Sequence, residues 1–119
     1  MTPPDIDHIQ LAMPPGGEVT ARAFYGAMLG LPELPKPAAL RGRGGVWFVT
    51  GNLPLHLGID QDFRPSAKAH IALRAIALPE LLLRFAAAEH AVDAADDLAG
   101  YPRWYLCDPF GNRIELLEE

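Results

Sequence analysis

Hydrophobic and polar residues alternate in short segments of this chain, and prolines and glycines separate the segments. Residues at three- and four-residue spacing predict a helix over 18–29 with Gly30 as its C-terminal cap, and a second helix from Pro79 to about His90. The predicted strands cover 6–13, 38–43, 45–50, 53–59, 69–75, 91–95, 103–107 and 113–117. The order of elements is therefore β-α-β-β-β, twice over.

The two halves of the chain also resemble each other residue by residue. Asp-His-Ile-Gln-Leu at 7–11 is similar to Ala-His-Ile-Ala-Leu at 69–73. His56 lies in the last predicted strand of the first half, and Glu115 lies in the last predicted strand of the second half. The separation of His56 from Glu115 along the chain is nearly the same as that of His8 from His70. The sequence therefore predicts a single α+β domain over 1–119, built from a duplicated unit with module one at about 5–60 and module two at about 69–118.

Composition and charge narrow the range of functions. The chain has 119 residues, of which 50% are hydrophobic and 21% are charged, and this is typical of a globular domain. A net charge of −5 without a basic run argues against nucleic acid and anionic membranes as partners. No apolar stretch approaches the roughly 20 residues of a membrane span, and the first residues do not form a signal peptide. The one cysteine, Cys107, is interpreted as a small buried thiol and fits a cytoplasmic location.

Four residues stand out as candidates for chemistry, namely His8, His56, His70 and Glu115. Each is predicted within a strand beside apolar residues, so its side chain points away from the hydrophobic core. Imidazole and carboxylate are ligands for Zn, Ni, Fe(II) or Mn(II), and two histidines with one carboxylate are typical of non-haem Fe(II) sites. The alternative is that these histidines only form hydrogen bonds within the strands.

Other polar side chains share these strand faces by the same alternation. They are predicted to contact a polar or anionic substrate, because arginine offers two parallel donors to a carboxylate or phosphate. The alternative is that they are solvated strand residues. The residues concerned are Gln10, Arg74, Arg103 and Tyr105.

Three motifs carry a resemblance to a known family. They are Asp-His-Ile-Gln-Leu at 7–11, Phe-Tyr-Gly-Ala-Met-Leu-Gly-Leu at 24–31 and Asp-Pro-Phe-Gly-Asn-Arg-Ile-Glu-Leu at 108–116. Together they resemble the vicinal oxygen chelate superfamily, which includes glyoxalase I, methylmalonyl-CoA epimerase, fosfomycin-resistance proteins, extradiol dioxygenases and bleomycin-resistance proteins. The resemblance spans nearly the whole chain.

The resemblance implies two βαβββ modules whose mixed sheets form a cup around one divalent metal ion. His8, His70 and Glu115 match the family's ligand positions. His56 stands where glyoxalases and epimerases often carry a fourth ligand, Glu or Gln. His56 is therefore expected to act either as a ligand or as an acid/base beside the metal.

The functional expectation is a metal-dependent enzyme of the lyase or isomerase type that binds a small molecule through neighbouring oxygens. Glu115 and His56 are the catalytic candidates. Two alternatives stay open: an Fe(II) ring-cleavage dioxygenase, and a metal-free small-molecule or drug-binding protein like the bleomycin-resistance proteins. The resemblance also implies a homodimer, since the family commonly closes its sheet edges by dimerising.

Overall fold

The computed structural model describes residues 1–95, 100 and 102–119. These residues form two compact units, unit 1 (Met1–Phe63) and unit 2 (Arg64–Glu119), each with one four-stranded mixed sheet. The two sheets have the same strand order, in which the first strand of the unit pairs in parallel with the last. The predicted α+β class and the repeated β-α-β-β-β order are therefore confirmed.

Unit 1 has the strand order β1-β4-β3-β2. Its elements are β1 (Ile9–Met13), α1 (Glu18–Ala21) continuing as π-helical turns (Arg22–Met28), β2 (Glu33–Leu34), a 3₁₀-helix (Ala38–Arg43), β3 (Val46–Thr50) and β4 (Leu53–Ile59). Phe24 and Tyr25 are buried, and the Tyr25 ring lies 5.7 Å from that of Phe48 on the sheet. The helical region ends as predicted at Gly30, which has a φ of 76° that disfavours other residues.

The predicted strand over 38–43 is wrong, because this segment forms the 3₁₀-helix. The fourth strand of the first unit is instead the short β2, which precedes this segment in the chain and pairs with β3. Pro37 sets the turn, since its carbonyl accepts a hydrogen bond of 2.9 Å from Leu40 N–H. The segment contains no β-branched or aromatic residue that would favour a strand.

Unit 2 has the strand order β5-β8-β7-β6. Its elements are β5 (His70–Ala75), α2 (Leu78–Ala87), β6 (Asp93–Ala95), β7 (Arg103–Cys107) and β8 (Arg113–Glu118). Helix α2 buries Leu78, Leu81 and Phe85, which are three and four residues apart on its inner side. Pro79 lies in the first turn, where its missing N–H costs little.

The strand registers place corresponding residues of the two units in equivalent positions. In unit 1, His56 on β4 lies between Gln10 on β1 and Trp47 on β3. In unit 2, Glu115 on β8 lies between Ala72 on β5 and Tyr105 on β7. The correspondence between His56 and Glu115 that the sequence predicted is therefore a structural one.

Candidate active site

Three aromatic rings are stacked on the open face of the unit 1 sheet, and we call them the histidine stack: His8, His56 and Trp47. The rings of Trp47 and His56 are nearly parallel, with an angle of 3° and centroids 3.9 Å apart. The His8 ring lies 4.5 Å from that of His56, at an angle of 21°. His56 is therefore enclosed between the other two rings, as its 7% exposure shows.

His8 occupies a different place from the one predicted for it. Strand β1 begins at Ile9, so His8 precedes the strand rather than lying within it. Its side chain is 44% exposed, and its Nδ1 lies 2.8 Å from Asp7 Oδ2. A hydrogen bond from Nδ1–H to this carboxylate leaves Nε2 as the ring nitrogen with a free lone pair.

The surroundings of His56 favour its neutral form. Burial lowers the pKa of His56 below 6.5, and the nearby His8 lowers it further, while the Asp7 carboxylate opposes both effects. The imidazole is therefore largely uncharged at neutral pH and able to accept a proton.

Ring stacking also limits what the two histidines can do together. A metal ion binds in the plane of an imidazole ring, about 2.1 Å from the nitrogen. Rings stacked face to face direct their lone pairs along separate planes. The stacked arrangement of His8 and His56 therefore favours separate roles for the two rings.

Unit 2 holds a group of polar side chains around one carboxylate, and we call it the carboxylate cluster: Glu115, His70, Tyr105 and Arg103. Tyr105 Oη donates a hydrogen bond of 2.7 Å to Glu115 Oε1, and His70 Nε2 lies 3.2 Å from the same oxygen. Arg103 Nη1 donates to Tyr105 Oη at 3.3 Å and lies 4.0 Å from Glu115 Oε1. Glu115 itself is only 7% exposed.

These contacts hold Glu115 in its charged form. The Tyr105 hydrogen bond is the largest influence and lowers the pKa of Glu115, and the His70 contact and the Arg103 charge lower it further, against an opposing effect of burial. The same hydrogen bond raises the pKa of Tyr105. Glu115 is therefore anionic at neutral pH and a weak base.

The orientation of His70 is informative about what the cluster binds. His70 Nδ1 lies 2.9 Å from the carbonyl oxygen of Lys68, which can only accept, so Nδ1 carries a proton. In a neutral ring, Nε2 then has a lone pair that faces the Glu115 carboxylate. At 3.2 Å, His70 Nε2 and Glu115 Oε1 are joined either by a proton on Nε2, which is donated to the carboxylate, or by a cation bound between them.

The distance itself fits a shared cation. Two ligands of one ion, each about 2.1 Å from it, lie roughly 3.0 to 3.4 Å apart at octahedral and tetrahedral angles. The 3.2 Å between His70 Nε2 and Glu115 Oε1 lies within this range. These two atoms therefore fit as ligands of one divalent metal ion. Among the described residues, however, no three His, Cys, Asp or Glu side chains form a metal-binding group.

Four residues were predicted to contact substrate, and they differ in their surroundings. Arg103 and Tyr105 belong to the carboxylate cluster. Arg74 is exposed on β5, on the same face as His70 and opposite Leu117. Gln10 is exposed on unit 1, and its side chain lies across Gly58 of β4.

The sequence reasoning overlooked Arg113 and misplaced Cys107. The Arg113 guanidinium lies over the Tyr105 ring, 4.1 Å from its centroid. Arg113 is two residues before Glu115, so strand alternation could have placed it on this face. Cys107, opposite Arg113 in the register, is exposed rather than buried, because it shares the open face of the sheet.

No helix among the described residues is both long and apolar enough to cross a membrane. The chain matches no protein-family model and no curated protein.

Solved structures, by contrast, are similar along the entire chain. A Bacillus anthracis protein described as a glyoxalase family member has a TM-score of 0.93 and 40% identity, over 100% of this chain and 98% of that one. Lactoylglutathione lyase from Agrobacterium tumefaciens has a TM-score of 0.74 and 25% identity, over 98% of this chain and 96% of that one.

A third structure shares the fold at lower identity. FosX, a fosfomycin resistance protein from Listeria monocytogenes, has a TM-score of 0.81 and 17% identity, over 98% of this chain and 93% of that one. That structure is of an E126Q mutant in complex with Mn(II) and 1S,2S-dihydroxypropylphosphonic acid.

Proposed function

The chain belongs to the glyoxalase family of the vicinal oxygen chelate superfamily, and from this premise we propose that it is a metal-dependent enzyme of the lyase or isomerase type. Its substrate is a small molecule with neighbouring oxygen atoms. The observation that carries the proposal is the His70–Glu115 pair, in which a ring nitrogen and a carboxylate oxygen lie 3.2 Å apart, a separation suited to two ligands of one divalent ion.

The proposed ligands are His8, His70 and Glu115. His70 and Glu115 are held by second contacts, to the Lys68 carbonyl and the Tyr105 hydroxyl, as metal ligands commonly are. His8 has the corresponding contact with Asp7. A bound divalent ion would supply Lewis acidity that stabilises negative charge on a substrate oxygen.

His56 takes the proton in this proposal. The stacking of His56 on His8 favours separate roles for the two rings, and the lowered pKa of His56 keeps a ring nitrogen available as a proton acceptor. Glu115 is less suited to this role, because its pKa is lowered from a starting value of 4.5, further from neutral pH than the 6.5 of an unperturbed histidine.

Metal content per chain tests the ligand set. Protein purified without chelator or histidine tag is incubated with Zn, Ni, Fe(II) or Mn(II), and the bound metal is measured by elemental analysis. We expect one ion per chain, lost in His8→Ala, His70→Ala and Glu115→Ala. Glu118→Gln removes an exposed carboxylate from the same strand as Glu115 and is the matched control.

The same assay tests whether His56 is a metal ligand and whether the protein binds metal at all. His56→Phe keeps a ring against Trp47 and is expected to retain the metal, whereas loss of the metal would make His56 a ligand instead. If the wild type binds none of the four metals, the enzyme proposal fails and a small-molecule-binding protein takes its place.

A second candidate function is favoured by the ligand types. Two histidines and one carboxylate are the set used by non-haem Fe(II) oxygenases, and His56 would then be an acid/base near the iron. Dioxygen consumption with a catechol by the Fe(II)-loaded protein would support ring cleavage over proton transfer. Its absence, with iron bound, would exclude this candidate for the catechol tested.

A homodimer is also part of the proposal. Within each unit the first strand, β1 or β5, lies at the edge of its sheet, and edge strands can pair with another chain. Light scattering on the purified protein should give twice the mass of one 12.9 kDa chain. A monomeric mass across the accessible concentration range would contradict this.

A further inference from the structure

Unit 1 contains a small cavity beside the histidine stack. Its volume is about 220 Å³, and its lining includes Gln10, Lys36, Leu40, Arg43, Trp47 and Gly58. Trp47 thus contributes both to this cavity and to the stack, where its ring lies against His56. Whatever the cavity binds therefore lies one side chain away from the proposed proton acceptor.

The floor of the cavity depends on a glycine. The Gln10 side chain lies across Gly58, and a Cβ atom at position 58 would collide with the Gln10 amide. The glycine therefore leaves room for a polar amide, with two N–H donors and one acceptor, on the surface of the sheet.

The charge of the cavity is positive within an acidic chain. Lys36 and Arg43 are its charged lining residues, and the lining, all within the described residues of unit 1, includes no carboxylate. The whole chain has a net charge of −5. Two cations in one concave site attract anions locally even though the protein as a whole repels them.

The segment that carries the two cations is held in place by several contacts. Lys36 Nζ donates a hydrogen bond to the Gly44 carbonyl oxygen, so one of the three N–H groups of Lys36 is already used. Gly45 N–H donates to Glu18 Oε2 at 3.1 Å, which holds this neighbouring carboxylate against the segment. A Cβ at position 45 would lie 2.6 Å from the Leu57 carbonyl oxygen, which shows how closely the segment approaches β4.

We propose that this cavity binds an anionic group of the substrate, a carboxylate or a phosphate, through Arg43, Lys36 and the Gln10 amide. The statement that the anion belongs to the substrate rests on the proposed function; the binding of an anion here does not. A volume below the range of about 300–1,000 Å³ usual for whole ligands suits one such group rather than a complete molecule. Arginine can bind either anion with two parallel hydrogen bonds, and lysine adds a point charge.

Nuclear magnetic resonance tests the proposal on ¹⁵N-labelled, metal-free protein. Inorganic phosphate or succinate is added at constant ionic strength, and the Gln10 amide and Trp47 indole N–H signals are followed. We expect both signals to shift and to saturate, while the Trp104 indole signal in unit 2 serves as the internal reference. Saturation at lower concentration with one of the two probes identifies phosphate or carboxylate as the preferred group.

Charge variants locate the binding. Lys36→Gln and Arg43→Gln should each weaken binding by about tenfold or more, and Lys36→Arg should restore most of it. Arg64→Gln removes the same charge at an exposed position outside the cavity and should bind like the wild type. Retention of the wild-type amide spectrum outside residues 36–45 shows that each variant is folded.

The proposal is overturned if the Gln10 and Trp47 signals move no more than that of Trp104, or if Arg64→Gln weakens binding as much as Arg43→Gln. These measurements need no metal. Anion binding can therefore succeed in a protein that binds no metal, and it can fail in one that does, so the two proposals are tested separately.

Discussion

The Tyr105 hydroxyl donates a hydrogen bond of 2.7 Å to Oε1 of Glu115, directly across the antiparallel pair of β7 and β8. In the other unit the equivalent pair is Trp47 and His56, whose rings stack at 3.9 Å. The same position on the repeated fold thus supports a carboxylate through a hydrogen bond in one unit and an imidazole through ring stacking in the other. The Tyr105 hydrogen bond favours the anionic form of Glu115, and burial favours the neutral form of His56.

The Tyr105 hydroxyl should be required for tight metal binding. Tyr105→Phe removes the largest influence that lowers the pKa of Glu115, so this pKa should rise in the metal-free protein. Loss of the hydrogen bond that supports a metal ligand typically lowers the metal affinity roughly 10- to 100-fold. Competition with a chromogenic chelator measures the affinity, and carboxyl carbon shifts measure the pKa. An unchanged affinity would show that Tyr105 does not support the ligand.

Glu115 should make folding stability depend on acid pH in a definite direction. Its pKa is lower in the folded chain than the 4.5 of an unperturbed glutamate, so the folded state favours the carboxylate. The resulting stabilisation is fully present above about pH 4.5 and is lost as the pH falls through the folded-state pKa. Urea unfolding of metal-free protein over this range should show a steeper loss for the wild type than for Glu115→Gln.

Glu118→Gln is the control for that comparison, because it removes an exposed carboxylate from the same strand. It should follow the wild-type pH dependence. Parallel curves for the wild type and Glu115→Gln would contradict the role of the carboxylate cluster.

His56 should titrate below 6.5, and its neighbours should move its pKa in opposite directions. Burial and the His8 charge lower this pKa, while Asp7 raises it. His8→Ala should therefore raise the pKa of His56, and Asp7→Asn should lower it further. The Cε1–H resonances of the imidazoles, followed against pH, report these values.

The same shift fixes how His56 affects stability. Because the folded-state pKa lies below 6.5, the neutral ring stabilises the fold fully above that pH, and the contribution is lost as the pH falls through the folded-state value. His56→Phe should reduce this loss. A His56 pKa at or above 6.5 would contradict the lowering of this pKa by burial.

Much of the architecture was predictable because the two halves of the chain have similar segments in the same order. His8 and His70 begin similar segments, and His56 and Glu115 lie in equivalent strands, so the order of elements and the equivalence of the two units followed from the sequence. The buried stripe of α2 followed from its helical spacing. Such features depend on local pattern and on which side chains avoid water.

Other features depend on contacts that the pattern does not contain. The 3₁₀-helix over Ala38–Arg43 reflects the turn at Pro37, and no hydrophobic periodicity marks it. The stacking of His8 on His56 joins residues 48 positions apart, and the position of Arg113 over Tyr105 depends on side-chain rotamers. The cationic cavity likewise arises from a loop that folds back towards β4.

Asp108 should contribute strongly to stability because it organises the turn that leads into β8. It is 3% exposed; its Oδ1 accepts hydrogen bonds from the Phe110 and Asn112 N–H groups at 2.9 and 2.8 Å, and its Oδ2 accepts one from Asn112 Nδ2 at 2.8 Å. Asp108→Ala removes these three partly buried hydrogen bonds and should lower the free energy of unfolding by about 3 kcal/mol. Urea denaturation at pH 7 measures this. Asp108→Asn keeps one acceptor oxygen and should lose about half as much; equal losses in the two variants would show that negative charge, rather than the acceptor geometry, stabilises the turn.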